Sequence, residues 1–242
     1  ISFTEALQHF QSTDLSECRQ KVRATAAGRG HGLAALLCCL FGPPRLRPQL
    51  QGERELALAM AQCPLDDGES VHMRILQTIY RQLTGSRLGC PRYGEHWEEL
   101  GFQGRAGGAK RCWGGSHWSH SRLSGGIQGQ RKGFGHRRTT GWLRLEKPLE
   151  LTFPFCIMSV NITRLVLQAL REDRLCRECN RRQQVLAVLN RLYAAAFLQL
   201  YRVWKGQRQT LADCDRLLKA LELATKKKPR QLLKSLEIYM DR

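Results

Sequence analysis

The sequence lacks the signatures of an enzyme and of a membrane-spanning protein. Its 242 residues contain no phosphate-binding glycine loop, nucleophile elbow, pair of catalytic carboxylates or His-Glu metal-binding helix. No apolar run approaches the roughly 20 residues that are needed to cross a bilayer. Few segments alternate with the two-residue period of a strand. These absences argue against chemistry carried out by the chain alone, against a transmembrane helix and against a sheet-based fold.

Cysteine is plentiful, with ten residues, but the sequence does not indicate a disulfide framework. Cys38, Cys39, Cys63 and Cys156 lie in apolar helical runs, which is typical of buried thiols in a reducing compartment. The chain starts at Ile1 without a basic-then-apolar leader, so we expect a cytoplasmic protein and an N-terminally incomplete fragment.

Two groups of potential metal ligands are incomplete. Cys176 and Cys179 form a Cys-x-x-Cys pair, but no second pair follows at the spacing of a zinc site, and no strand precedes it as in a redox motif. Cys112, His117 and His120 lack a fourth ligand and an ordered scaffold. We therefore predict no metal site and no cofactor.

Helical periodicity predicts an all-α, multi-helix fold. The pattern occurs before residue 104 and resumes at Leu151. We expect one helix after a cap at Asp66 or Asp67, ended by Gly85. The other main predicted helices cover residues 3–10, 15–22, 33–40, 50–63, 155–171, 181–205, 210–225 and 231–240.

The 46 residues from Arg105 to Glu150 interrupt this pattern. They hold ten of the 22 glycines, three of the five tryptophans and ten of the 39 Lys/Arg residues, and they have no periodicity. We predict a disordered segment, read from a G-rich retained intron or mispredicted exon, as in a splice variant. The chain then divides into a helical half (1–104), the Gly-rich segment (105–150) and a second helical half (151–242).

The chain is strongly basic, with a formal net charge of +18. The Gly-rich segment contributes +8, from ten basic and two acidic residues, and the rest of the chain contributes +10. Such a charge favours nucleic acid, an anionic membrane or an acidic protein face, or else belongs to a solvated surface. A second cluster, Lys226 to Lys228 with Arg230 and Lys234, suits phosphates or lipid headgroups, although it also complements a helix C-terminus.

Residues 105–144 combine aromatic and arginine side chains, as single-strand nucleic-acid binders do. Repeated Arg-Gly-Gly units and a folded platform are missing, so we do not predict a specific nucleic-acid partner.

Three segments resemble the ELMO domain family. They are His72 to Tyr80, Trp97 to Gly104, and Phe153 to Thr163. The similarity covers 1–104 and 151–242. It implies an all-helical domain that acts as a GTPase-activating protein on Arf-family GTPases, especially Arl types, and is not itself an enzyme.

The same resemblance implies a partner-binding motif at Trp97, Gly101, Phe102, Gln103 and Gly104, whose residues we interpret as scaffold more than chemistry. In the family this motif runs into Pro-x-Thr-Asp-x-Arg-Gly, whose arginine is thought to enter the GTPase site. An arginine supplied in trans neutralises charge on the transferred phosphoryl group and is worth roughly 10³–10⁵ in rate.

This chain departs from the family pattern at that arginine. Counting from Gly104 places the family arginine on Cys112, and Arg111 lies one residue early, without the supporting Asp and Gly. The sequence therefore predicts a catalytically impaired form. The alternative is a non-catalytic interaction module for a GTPase or a cytoskeletal partner, such as actin-associated structures in cell projections.

Overall fold

The computed structural model describes residues 1–27, 44–90, 92–94, 96–100, 155–207 and 213–241. Within these residues every regular element is helical, which confirms the all-α prediction. The Gly-rich segment lies outside them. The α-helices are α1 (Phe3–Ser12), α2 (Ser16–Ala27), α3 (Gln51–Met60), α4 (Ser70–Thr84), α5 (His96–Glu99), α6 (Phe155–Arg171), α7 (Cys176–Arg182), α8 (Leu186–Gly206), α9 (Cys214–Lys227) and α10 (Pro229–Met240), with a 3₁₀ turn at Pro48–Leu50.

The chain forms two compact units, each built from separate parts of the sequence. The first comprises Ile1–Asp14 and Cys63–Ile157. In it α1 packs against α4. An ion pair between Glu5 and Arg74 (2.5 Å) and a hydrogen bond from the Ile1 amino group to Thr78 Oγ1 (2.9 Å) support this contact.

The second unit comprises Leu15–Gln62 and Met158–Arg242, and α8 lies at its centre. Helix α8 contacts α3, α7, α9 and α10, while α2 packs on α3. Its buried residues recur every three or four positions, as expected of a helix that meets neighbours along one broad face. They are Val188, Leu189, Leu192, Ala195, Ala196, Leu200 and Trp204.

Several helix boundaries differ from the sequence prediction. The helix predicted over 181–205 is divided, because Gln183 adopts a left-handed conformation (φ 54°) that ends α7. The predicted cap at Asp66 or Asp67 is wrong, since the carboxylate of Glu69 accepts from the Val71 amide. Pro229 begins α10, two residues earlier than predicted.

The N-terminus of α8 receives its cap from a distant helix. The two carboxylate oxygens of Glu53, on α3, accept from the amides of Val185 (2.8 Å) and Leu186 (2.9 Å). These amides have no partner inside the helix, and the helix dipole adds to the attraction for a negative charge. Glu53 therefore joins α3 to α8 by satisfying two donors at once.

We expect Glu53→Ala to lower the free energy of unfolding by about 1–2 kcal/mol in urea titrations, because both amides lose their acceptor. Glu55→Ala is the matched control, two residues along the same helix. Within the described ranges its carboxylate forms ion pairs with Arg19 (3.8 Å) and Arg23 (3.1 Å) and caps no helix, so we expect a loss below about 1 kcal/mol. Equal losses in the two variants would show that the cap contributes nothing of its own.

Candidate functional site

Of the five predicted partner-binding residues, Trp97 is the one that the structure describes, and it is only 1% exposed. It forms a cluster with two other buried residues, Leu76 and Cys90. Around them pack four partly buried residues: Leu65, Met73, Tyr80 and Leu100. The rings of Tyr80 and Trp97 meet edge to face, with centroids 5.7 Å apart. Trp97 therefore holds the start of the motif against α4 and offers almost no surface of its own to a partner.

The loop before Trp97 is fixed by local contacts that only particular residues permit. Gln77 and Cys90 form a reciprocal pair: the Cys90 amide donates to Gln77 Oε1 (2.9 Å), and Gln77 Nε2 donates to the Cys90 carbonyl (2.5 Å). Gly94 has φ +147°, and a Cβ there would lie 2.6 Å from the ring of His96. The Trp97 amide then donates to the Gly94 carbonyl (3.3 Å).

A backbone hydrogen bond joins the described residues before the Gly-rich segment to those after it. The backbone amide of Cys156 donates to the carbonyl of Leu100 at 3.3 Å. Cys156 is 2% exposed, and Leu100 packs on the Trp97 cluster. The last described residue of the motif and the start of α6 are thus adjacent in space, although 56 positions separate them in the sequence.

The remaining motif residues, Gly101, Phe102, Gln103 and Gly104, lie outside the described residues, as does Arg111. The partner-binding role of this motif therefore remains a prediction. The structure contributes the position of the described part of the motif, which starts at the buried Trp97 in α5 and reaches Leu100 beside the N-terminus of α6.

His72, in the segment that resembles the family, is a buried structural residue. Its Nδ1 accepts a hydrogen bond from the Asp66 amide (3.1 Å), so this nitrogen is unprotonated. Its ring stacks on Phe10 at 5.6 Å and meets His9 edge to face at 5.7 Å. Burial, followed by the nearby charge of His9, lowers the pKa of His72, although Glu69 and Asp66 oppose the shift.

This lowered pKa predicts a loss of stability in mild acid. The unfolded chain binds a proton at His72 at higher pH than the folded chain does. The stability that the neutral His72 contributes is therefore complete above about pH 6.5, and it declines as the pH falls toward the pKa of His72 in the folded chain. We expect the free energy of unfolding to decline over this window, measured by urea titration at several pH values. His72→Gln should flatten the decline. An unchanged slope in His72→Gln would assign the decline to other groups.

The Cys-x-x-Cys pair lies in the core of the second unit. Cys176 is 4% exposed and Cys179 is inaccessible. Burial is the main cause that raises the pKa of Cys176 to about 11 and that of Cys179 to about 12. A thiolate, the form that binds metal and attacks disulfides, is therefore disfavoured at both positions. Among the described residues no group of three or more His, Cys, Asp or Glu side chains is placed to hold a metal ion.

Sequence reasoning missed the structural role of the residue that follows this pair. The side chain of Asn180 donates to the Arg45 carbonyl (2.8 Å) and accepts from the Arg47 amide (2.9 Å), which fastens the segment before α3 to α7. The sequence drew attention to Asn180 only because it directly follows the Cys-x-x-Cys pair. Its partners lie more than 130 positions away, and local patterns carry no information about them.

The described residues include no helix that is both long enough and apolar enough to cross a membrane.

The model of the ELMO/CED-12 family matches residues 55–108 and 132–218, which is more than half of the chain. The chain therefore belongs to the ELMO/CED-12 family. The match ends four residues after Gly104 and resumes at Lys132, so the interruption that the family model passes over lies inside the Gly-rich segment.

The individual relatives agree with this assignment. The chain is 48% identical over 242 residues to "ELMO domain-containing protein 3" of Homo sapiens, which covers all of this chain and 62% of that protein. It is also 48% identical over 240 residues to the proteins of the same name from Bos taurus and Mus musculus. The chain thus spans about three fifths of the length of these relatives. No solved structure matches the chain.

Proposed function

We propose that this chain is a regulator that binds small GTPases of the Arf/Arl class and that, in this form, it accelerates GTP hydrolysis weakly or not at all. Membership of the ELMO/CED-12 family is the observation that carries the proposal. The segment from Trp97 to Gly104 resembles the family motif and is the proposed binding site. The proposed impairment follows from the absence of the family arginine. The proposed setting is the cytoplasm, and the proposed route of action is through the GTPase, without a cofactor.

The geometry supports a site that starts at Leu100. Trp97 anchors the first turn of the motif in the core, and the Cys156 amide holds Leu100 from the other side. A segment that follows such an anchored point has a defined origin, which a partner-binding segment needs in order to present side chains reproducibly.

The proposal predicts little or no acceleration of single-turnover GTP hydrolysis. GTP-loaded Arf and Arl proteins would be mixed with a large excess of the chain, and phosphate release would be followed against time. We expect rates within about twofold of the intrinsic rate, because no arginine occupies the family position at Cys112. Acceleration of a hundredfold or more would contradict the impairment, and Arg111→Ala would then show whether the neighbouring arginine acts in its place.

The second candidate is a non-catalytic interaction module for a GTPase or a cytoskeletal partner, of which the cytoskeletal form differs most from the proposal above. Family membership is compatible with it, but no contact among the described residues favours it. Co-sedimentation with actin filaments, in the absence of binding to any Arf or Arl protein, would favour this alternative.

A further inference from the structure

The junction of α9 and α10 exposes four cations that form no ion pair within the part of the chain that the structure describes. Lys227, Lys228, Arg230 and Lys234 are all exposed and have no carboxylate partner among the described residues. No acidic residue occurs between Glu222 and Glu237. We call these four residues the basic turn.

Lys226, which directly precedes the basic turn, differs from it because its charge is paired within the fold. Its Nζ lies 2.9 Å from Glu172 and 2.8 Å from Glu222, and its side chain is only 19% exposed. Burial opposes its charge, but the hydrogen bonds that Lys226 donates to these two carboxylates outweigh burial and raise the pKa of Lys226. Lys226 therefore ties α9 to the end of α6, and it is not part of the basic turn.

Helix stability does not explain all four charges of the basic turn. Lys227 lies in the last turn of α9, where a positive charge is favourable. Lys228 is both the C-cap of α9, where a cation is favourable, and the N-cap of α10, where it is not. Arg230 lies in the first turn of α10, where the helix dipole disfavours cations and no acidic residue is present. Of the four charges, Arg230 thus opposes the local electrostatics of the fold.

An apolar side chain lies beside the basic turn. Leu223 is 55% exposed and precedes Lys227 by four positions on α9, so the two side chains are neighbours on one helix face. Arg230 and Lys234 have the same spacing on α10. Cations around an exposed leucine complement an anionic bilayer, in which lysines meet headgroups and the leucine enters the acyl boundary.

We propose that the basic turn, with Leu223, is a docking surface for an anionic membrane. A nucleic acid is the less suitable partner, because single-strand binding uses exposed aromatic side chains and the basic turn contains none. The inference is independent of the proposed action on GTPases, since it rests on charge and exposure in α9 and α10.

The test is partition of the full 242-residue chain onto vesicles of phosphatidylcholine with and without 30% phosphatidylserine, measured by co-sedimentation. We expect binding only to the anionic vesicles and a decline as salt rises from about 0.1 to 0.5 M. The double variant Lys228→Gln, Arg230→Gln should bind about 25-fold more weakly, at about fivefold for each cation. Leu223→Ser should bind about tenfold more weakly.

The matched control is Arg81→Gln, Arg87→Gln, which removes from the first unit two exposed cations that form no ion pair with any residue the structure describes. We expect its vesicle binding to stay within about threefold of the unmodified chain. The melting temperature of the Lys228→Gln, Arg230→Gln variant should be unchanged or higher, because it removes positive charge from a helix N-terminus. A lower melting temperature would mean that the cations serve the fold.

Three further results would overturn the proposal. They are absence of binding to anionic vesicles at low salt, equal loss in the two double variants, and full binding by Lys228→Gln, Arg230→Gln. The same chain would also be titrated with a single-stranded RNA oligonucleotide. Tighter binding to RNA than to vesicles, lost in the Lys228→Gln, Arg230→Gln variant, would assign the basic turn to nucleic acid and contradict the membrane proposal.

Discussion

Restoring the family arginine in register should raise GTPase-activating activity on the order of a thousandfold or more. Pro-x-Thr-Asp-x-Arg-Gly returns with five substitutions: Gly107→Pro, Ala109→Thr, Lys110→Asp, Cys112→Arg and Trp113→Gly. The expected gain comes from a guanidinium group that neutralises charge on the transferred phosphoryl group, an effect worth roughly 10³–10⁵ in rate. The measurement is single-turnover GTP hydrolysis by the Arf or Arl protein that binds the chain.

The matched control keeps the other four substitutions and replaces Cys112 with alanine. This variant has the same segment without the guanidinium, so we expect it to remain at the intrinsic rate. If the control accelerates hydrolysis as much as the arginine variant, the segment acts through positioning and not through charge. If neither accelerates hydrolysis although both bind the GTPase, the family arginine is insufficient in this chain.

The largest expected effect on stability comes from Trp97. Its side chain is 1% exposed, and truncation leaves a cavity against Leu76 and Cys90. We expect Trp97→Ala to lower the free energy of unfolding by about 3–5 kcal/mol, a large share of the roughly 5–15 kcal/mol of an ordinary domain. Urea unfolding followed by far-ultraviolet circular dichroism measures this loss.

Leu88→Ala is the comparison for Trp97→Ala, in the same unit. Leu88 is 76% exposed, so its truncation should change the free energy of unfolding by no more than about 0.5 kcal/mol. A loss below about 1 kcal/mol in Trp97→Ala would mean that the Trp97 cluster is not a core. The motif from Trp97 to Gly104 would then have no buried anchor.

Local patterns were sufficient to predict most helices. Apolar residues at helical spacing and Gly85 predicted α4 closely, and the predicted limits of α6 agree with the structure at both ends. The division between α7 and α8 was missed because it depends on the left-handed backbone conformation of Gln183. A glutamine in the sequence does not indicate such a conformation. The division also depends on Glu53, whose carboxylate reaches Val185 from another helix.

The candidate site was only partly accessible to sequence reasoning. The resemblance identified Trp97 as part of a motif, and the structure places it in the core. The contact between Cys156 and Leu100 could not be predicted, because a single backbone hydrogen bond between distant positions leaves no trace in composition or periodicity. That the basic turn has no carboxylate partner among the described residues likewise required the positions of Glu172 and Glu222, whose ion pairs there are with Lys226.

Equilibrium binding of the unmodified chain to a panel of Arf and Arl proteins, loaded with GDP or a non-hydrolysable GTP analogue, tests the central claim most directly. A regulator that acts on the active GTPase distinguishes the nucleotide states, so we predict that at least one member binds more tightly, tenfold or more, in the GTP-like state. Absence of binding by every member in either state, for a chain shown to be folded by circular dichroism, would contradict the account.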